Sequence, residues 1–148
     1  MKMDASVKEF LNHKNIAVYG ASRSVNKFGN TLAAELKQRG YTVRLVHPEA
    51  QEISGEPCAK NMEEIKDEVS AAVICLPPKA AAEAIRDAAQ AGVQQIWLQQ
   101  GANGVETGKV SQELGVNPIT GKCLLMYAEP VASYHSFHRF FAKLFGAY

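Results

Sequence analysis

Short apolar runs alternate with helix-length segments along most of this chain, and that alternation limits its fold more than any other feature. NIAVY (Asn15–Tyr19), TVRLV (Thr42–Val46), AAVICL (Ala71–Leu76) and QQIWL (Gln94–Leu98) each have strand length, and VNPI (Val116–Ile119) is a weaker fifth candidate. The runs are continuously apolar, as strands covered on both faces should be. Strands that alternate with helices make βαβ units, whose parallel pairing needs right-handed crossovers. The expectation is an α/β, Rossmann-like, doubly wound parallel sheet of about five strands.

The helices carry their own signals. Asn30–Arg39 is followed by Gly40, the residue type favoured where a helix ends in the left-handed conformation. Lys79–Ala91 is Ala-rich and is followed by Gly92, while Pro77-Pro78 stops the strand before it. Asn61 is placed to cap a short helix over Met62–Asp67. A weaker helix is expected at Val105–Leu114 and a leading one at Asp4–His13. No internal repeat or linker interrupts the 148 residues, which read as a single domain with its core at about 14–123. A last helix, about 131–146, places Tyr134, Phe137, Phe141, Leu144 and Phe145 on one face, which could dock on the sheet or bury in a homodimer.

Composition removes several function classes. Lys plus Arg total 16 against 15 Asp plus Glu, for a net charge of +1. A general nucleic-acid binder would carry a marked basic excess. No apolar run approaches the ~18 residues needed to cross a membrane. The start, MKMDASVKEF, has neither a signal core nor an Arg-rich transit pattern, so the chain reads as cytoplasmic. Cys58, Cys75 and Cys123 are few, odd in number and widely spaced, unlike a disulfide framework or a zinc site.

In an open parallel sheet, ligands sit beyond the carboxyl ends of the strands. The loop after the first strand is GASRSVNKFGN, from Gly20 to Asn30. Gly20 permits a tight turn beside Ala21. Ser22, Ser24 and Asn26 bring polar groups, and Arg23 and Lys27 bring charge. The N–H groups that open the next helix attract anions. Together these form a phosphate cradle. The dinucleotide fingerprint is absent: Ser22 stands where a second Gly is needed. The second strand ends in His47-Pro48 instead of the acid that holds an NAD ribose. Arg44 and His47 would instead favour an added phosphate.

These segments, with GYTVRLVHPEAQEISGEP, AAVICLPP and GVQQIWLQQGA, resemble the small stand-alone CoA-binding proteins. Their fold is similar to the CoA-binding domain of the succinyl-CoA synthetase α subunit and of NDP-forming acyl-CoA synthetases. The likeness runs from about Asn15 to Cys123. It implies coenzyme A or an acyl-CoA as ligand. Gly20, Ala21, Ser22, Arg23, Ser24 and Lys27 would lie at the pyrophosphate, and His47 and Pro48 at the ribose and adenine. Leu76, Pro77 and Pro78 would form an apolar wall, and Gln99, Gln100 and Gly101 would face the pantetheine arm. His47 replaces the Asn commoner in that family. The catalytic His of the larger synthetases belongs to a separate domain that this sequence does not contain.

No catalytic constellation stands out. His135, His138, Glu129 and Cys123 invite a thiolate or metal reading, but an amphipathic helix accounts for the histidines, and no paired carboxylates present themselves. The sequence favours a non-catalytic CoA-binding module. An enzyme or enzyme subunit acting on an acyl-CoA or nucleotide with a partner chain is the alternative, followed by an NAD(P)-binding redox module.

Overall fold

The computed structural model describes residues 5–24 and 27–128. Helix α1 (Ala5–Leu11) leads into β1 (Asn15–Tyr19), α2 (Phe28–Gln38) and β2 (Thr42–Val46). A short hairpin of β3 (Glu52–Ile53) and β4 (Glu56–Ala59) follows. After a 3-10 turn at Met62–Glu64 come β5 (Ala71–Ile74), α3 (Pro78–Gln90), β6 (Gln95–Leu98) and α4 (Val105–Leu114), with another 3-10 turn at Leu124–Met126. The fold is a Rossmann-like α/β sheet of six strands in the order β3-β4-β2-β1-β5-β6, all parallel except the β3–β4 pair.

Alternation along β1 shows how the layers form. Ile16 and Val18 belong to one apolar cluster with Val7 and Phe10 of α1 and Leu32 and Leu36 of α2. Ala17 and Tyr19 belong to another with Ala81, Ile85 and Ala88 of α3 and Val110 of α4. Small alanines on α3 let that helix lie close to the sheet. Every residue of β5 is buried, as a doubly covered strand requires.

Several expected boundaries shift for physical reasons. The fifth strand at Val116–Ile119 reduces to one bridge between Ile119 and Trp97, because Pro118 has no N–H to extend a ladder. In exchange, the β3–β4 hairpin adds two strands. Its turn residues, Ser54 and Gly55, both have positive φ, at 50° and 81°, the pattern of a two-residue hairpin loop. The helix expected over Met62–Asp67 is only a 3-10 turn, although Asn61 does cap it, its side chain accepting the Glu64 N–H at 3.2 Å. Acids at Glu63 and Asp67, and at Glu64 and Glu68, would repel one another in a continued helix. Helix α2 begins at Phe28, a half turn before Asn30. The aromatic helix at about 131–146 and its dimer face, with His135 and His138, lie outside the described residues.

Candidate functional site

The chain crosses from one half of the sheet to the other between β1 and β5, and a cavity of about 810 Å³ opens beside that switch point. Its size lies within the ~300–1,000 Å³ of ordinary ligand pockets. Tyr19 at the end of β1 and Gly20 after it line the cavity, as do Val46 at the end of β2 with His47 and Pro48 beyond it, and Cys75, Leu76 and Pro77 following β5. Lys27, Phe28 and Gly29 enter from the start of α2, and Ala80, Glu83, Ala84 and Asp87 from α3.

The first loop is built by close backbone approach. Gly20 has φ +113°, and Gly29 packs against the Gly20 carbonyl, leaving no room for a side chain at either position. Asn30 then locks the loop: its Oδ1 accepts the Ser22 N–H and its Nδ2 donates to the Ser22 carbonyl, both at 2.7 Å. Ser22 Oγ accepts the Ser24 N–H at 3.1 Å. The Ser22 amide is therefore committed to the fold. Lys27, the N-cap of α2, makes no side-chain cap bond to the helix's first turn.

His47 explains its own substitution. Its Nδ1 accepts N–H groups from Glu49 at 3.0 Å and Ala50 at 2.9 Å. An Asn at this position would make the same local turn with its side-chain oxygen. With Nδ1 an acceptor, the ring proton sits on Nε2, which is a donor.

The structure brings Gly20, Ala21, Ser22, Lys27, His47, Pro48, Leu76 and Pro77 together around the cavity. The remaining candidates lie elsewhere. Arg23 and Ser24 are exposed beyond its lining. Pro78 opens α3 and packs near Gly104. Gln99 is buried, accepting the Leu124 N–H at 2.6 Å and donating to Cys123 Sγ at 3.3 Å. Gln100 and Gly101 are exposed in the turn that follows. Arg44 pairs with Glu68 at the surface instead of reaching the ligand side.

Sequence reasoning missed four polar lining residues. Lys60 arrives because β4 pairs alongside β2, so the missed hairpin hid it. Glu83 and Asp87 stand one turn apart on α3, a spacing visible in the sequence but overshadowed by the alanines around it. Tyr19 looked like a core residue, yet its hydroxyl donates to Asp87 Oδ2 at 2.7 Å. Burial first, and then Asp87, push the Tyr19 phenol far above its ordinary range, so it remains a donor. Burial likewise pushes up the Cys75 thiol, which leaves it a weak nucleophile. Among the described residues no group of three His, Cys, Asp or Glu could hold a metal, and no helix is long and apolar enough to cross a membrane.

Comparison with known proteins fits this geometry. An ADP-forming acetate–CoA ligase I of Archaeoglobus fulgidus is 31% identical over 136 residues, covering 85% of this chain and 20% of that protein. The alpha subunit of ADP-forming acetate–CoA ligase I from Pyrococcus furiosus is 31% identical over 118 residues, covering 74% of this chain and 26% of the subunit. The chain thus spans about a fifth to a quarter of the length of these curated relatives. A solved conserved hypothetical protein from Pyrococcus furiosus superposes with a TM-score of 0.69 at 32% identity, covering 75% of this chain and 96% of that one. The model of the CoA binding domain family matches residues 14–129, so by sequence as well as by fold the chain belongs to the CoA binding domain family.

Proposed function

We propose that this chain binds coenzyme A or an acyl-CoA in the switch-point cavity, acting as a binding module without chemistry of its own. The observation that carries the reading is the pairing of two features in one cavity. Lys27 and the start of α2 offer a place for phosphates, while His47-Pro48 occupies the strand end where an NAD site would need an acid. Pro48, Leu76, Pro77, Ala80 and Ala84 supply an apolar slot for a base. Calorimetric titration with CoA, acetyl-CoA and NAD tests it. CoA or acetyl-CoA should bind more tightly than NAD, and tighter NAD binding would overturn the reading.

A second reading has specific support. The matched relatives include complete ligases and a separately encoded ligase subunit, of which this chain resembles only one part. On that reading the chain supplies the CoA site of an acyl-CoA-forming enzyme assembled with another chain. Recovery of a stoichiometric partner with the native protein, and turnover only by the pair, would favour it.

The placement of the basic residues yields a further prediction. Lys27→Ala should weaken CoA binding by about 1.5 kcal/mol, the lower end for a hydrogen bond to a charged group, since Lys27 is exposed. Arg23→Ala, outside the cavity lining, should cost less. Both losses should shrink in higher salt, which screens exposed charges. Calorimetry at low and high salt ranks the two. A larger loss in Arg23→Ala would place the phosphates on the outer side of the loop.

A further inference from the structure

Asp87 is held in a manner unusual for an acid on a helix surface. Its Oδ2 accepts two hydrogen bonds, from the Tyr19 hydroxyl at 2.7 Å and from the Met62 N–H at 2.9 Å. Both donors are fixed in the core: Tyr19 is 5% exposed and Met62 is fully buried. Its Oδ1 has no hydrogen-bond partner among the described residues, and Asp87 lines the cavity together with Ala80, Glu83 and Ala84. One oxygen is therefore clamped to the fold and the other is left as an oriented acceptor. Asp87 is half-buried, so this charged acceptor stays open to the cavity, where a ligand that brings a donor gains a hydrogen bond to a charged group.

We propose that Asp87 is the base-reading residue of the cavity, its Oδ1 accepting a hydrogen bond from the exocyclic amine of adenine. This rests on the CoA reading above. The charge of Asp87, with Glu83 one turn away, repels phosphate, so the phosphates belong at the Lys27 side and the base at the α3 side. Ala80 and Ala84 are small enough to let a flat ring approach α3, with Pro48, Leu76 and Pro77 closing the slot. A ribose hydroxyl is the other donor a nucleotide could offer. In CoA the 3′ oxygen carries a phosphate, and a carboxylate facing that ribose would meet its charge. The base amine brings a donor without that repulsion.

The clamp gives the test a definite sign. In Asp87→Asn, Tyr19 O–H and Met62 N–H still require an acceptor, so the amide oxygen turns towards them and the NH₂ group faces the cavity. An acceptor has become a donor while both anchoring bonds are kept. The wild-type protein should bind CoA about tenfold more tightly than its deaminated analogue, in which hypoxanthine replaces adenine. Asp87→Asn should reverse that order, because the amide can donate to the hypoxanthine carbonyl. Glu83→Gln should retain the wild-type order. Tyr19→Phe, which loosens the clamp, should reduce the discrimination without reversing it. Titration of both ligands into each variant, with melting curves to verify folding, decides the matter. If CoA binds but the wild type does not discriminate, or if Asp87→Asn keeps the adenine preference, the assignment of Asp87 is overturned while the CoA reading stands. Loss of discrimination in Glu83→Gln alone would move the role to Glu83 and likewise overturn it. If neither ligand binds the wild type, the CoA reading itself fails and the assignment falls with it.

Discussion

Replacing Gly20 with alanine should cost about 2–6 kcal/mol of stability and remove measurable CoA binding. The residue sits at φ +113°, where L side chains are strained. Strain of that kind costs roughly 1–3 kcal/mol. A Cβ built there would also lie 2.8 Å from the Cys75 carbonyl carbon and 3.0 Å from its Cβ, with the carbonyl oxygen closer still. That oxygen belongs to the backbone just beyond β5, held by the Cys75 N–H bond to the Tyr19 carbonyl, so it cannot swing aside as a flexible side chain would. Overpacking adds about 1–3 kcal/mol more. The sum is a large fraction of the ~5–15 kcal/mol that holds a domain folded. Binding should fail for the same reason as folding, because the Gly20 carbonyl is the surface on which Gly29 and the start of α2 rest. Gly108→Ala is the control: nothing lies within 4 Å of its added Cβ, and a helix-interior alanine should stabilise by about 1 kcal/mol. Urea unfolding followed by circular dichroism, with calorimetry on the folded protein, measures both. A wild-type midpoint in Gly20→Ala would mean that the turn opens without strain.

The same turn illustrates what the sequence makes legible. An apolar run, a glycine, a polar loop and a helix form a local pattern, so β1, the loop after it and α2 could be read within a residue or two. The strand ends nearest the cavity, His47-Pro48 and Leu76-Pro77, were equally readable, because the parallel topology follows from the alternation and carries those ends to one edge. What failed depended on unpatterned or distant contacts. The β3–β4 hairpin has strands of only two and four residues and a proline within β4, too short for periodicity to register. Without it, Lys60 had no reason to stand beside His47. The Tyr19–Asp87 bond joins residues 68 positions apart, and neither partner alone signals it. Gln99 illustrates the opposite error. Its place after a strand suggested a ligand contact, yet the side chain turns inward to the 123–124 segment, a choice made by packing and invisible in spacing.

Trp97→Ala should separate stability from binding, where Gly20→Ala removes both. Trp97, the chain's sole tryptophan, is fully buried on β6. Its ring meets Phe10 edge-on at 5.3 Å and Tyr127 at 5.9 Å, and its Nε1–H donates to the Lys122 carbonyl at 2.9 Å. It thereby ties α1, the sheet and the segment leading to Ala128 into one cluster. Truncating a buried tryptophan costs about 3–5 kcal/mol, from lost burial and from the cavity left behind. Trp97→Phe keeps much of the apolar volume and should cost about half as much. Trp97 itself does not line the cavity, whose walls are mostly Tyr19, Val46 and α3 residues of the other cluster, although Ala21, Phe28 and Cys75 on the Trp97 side also reach it. The folded fraction of each variant should bind CoA within about twofold of wild type, because Trp97 is not a lining residue and shares with the cavity walls only cluster packing through Ala21, Phe28 and Cys75. Far-UV circular dichroism gives the urea midpoint, since Trp97→Ala removes the indole fluorescence. Calorimetry well below the melting transition gives the affinity. A large affinity loss in the still-folded protein would mean that the two faces of the sheet are coupled through the core strands β1 and β5, and that the cavity depends on packing far from its own walls.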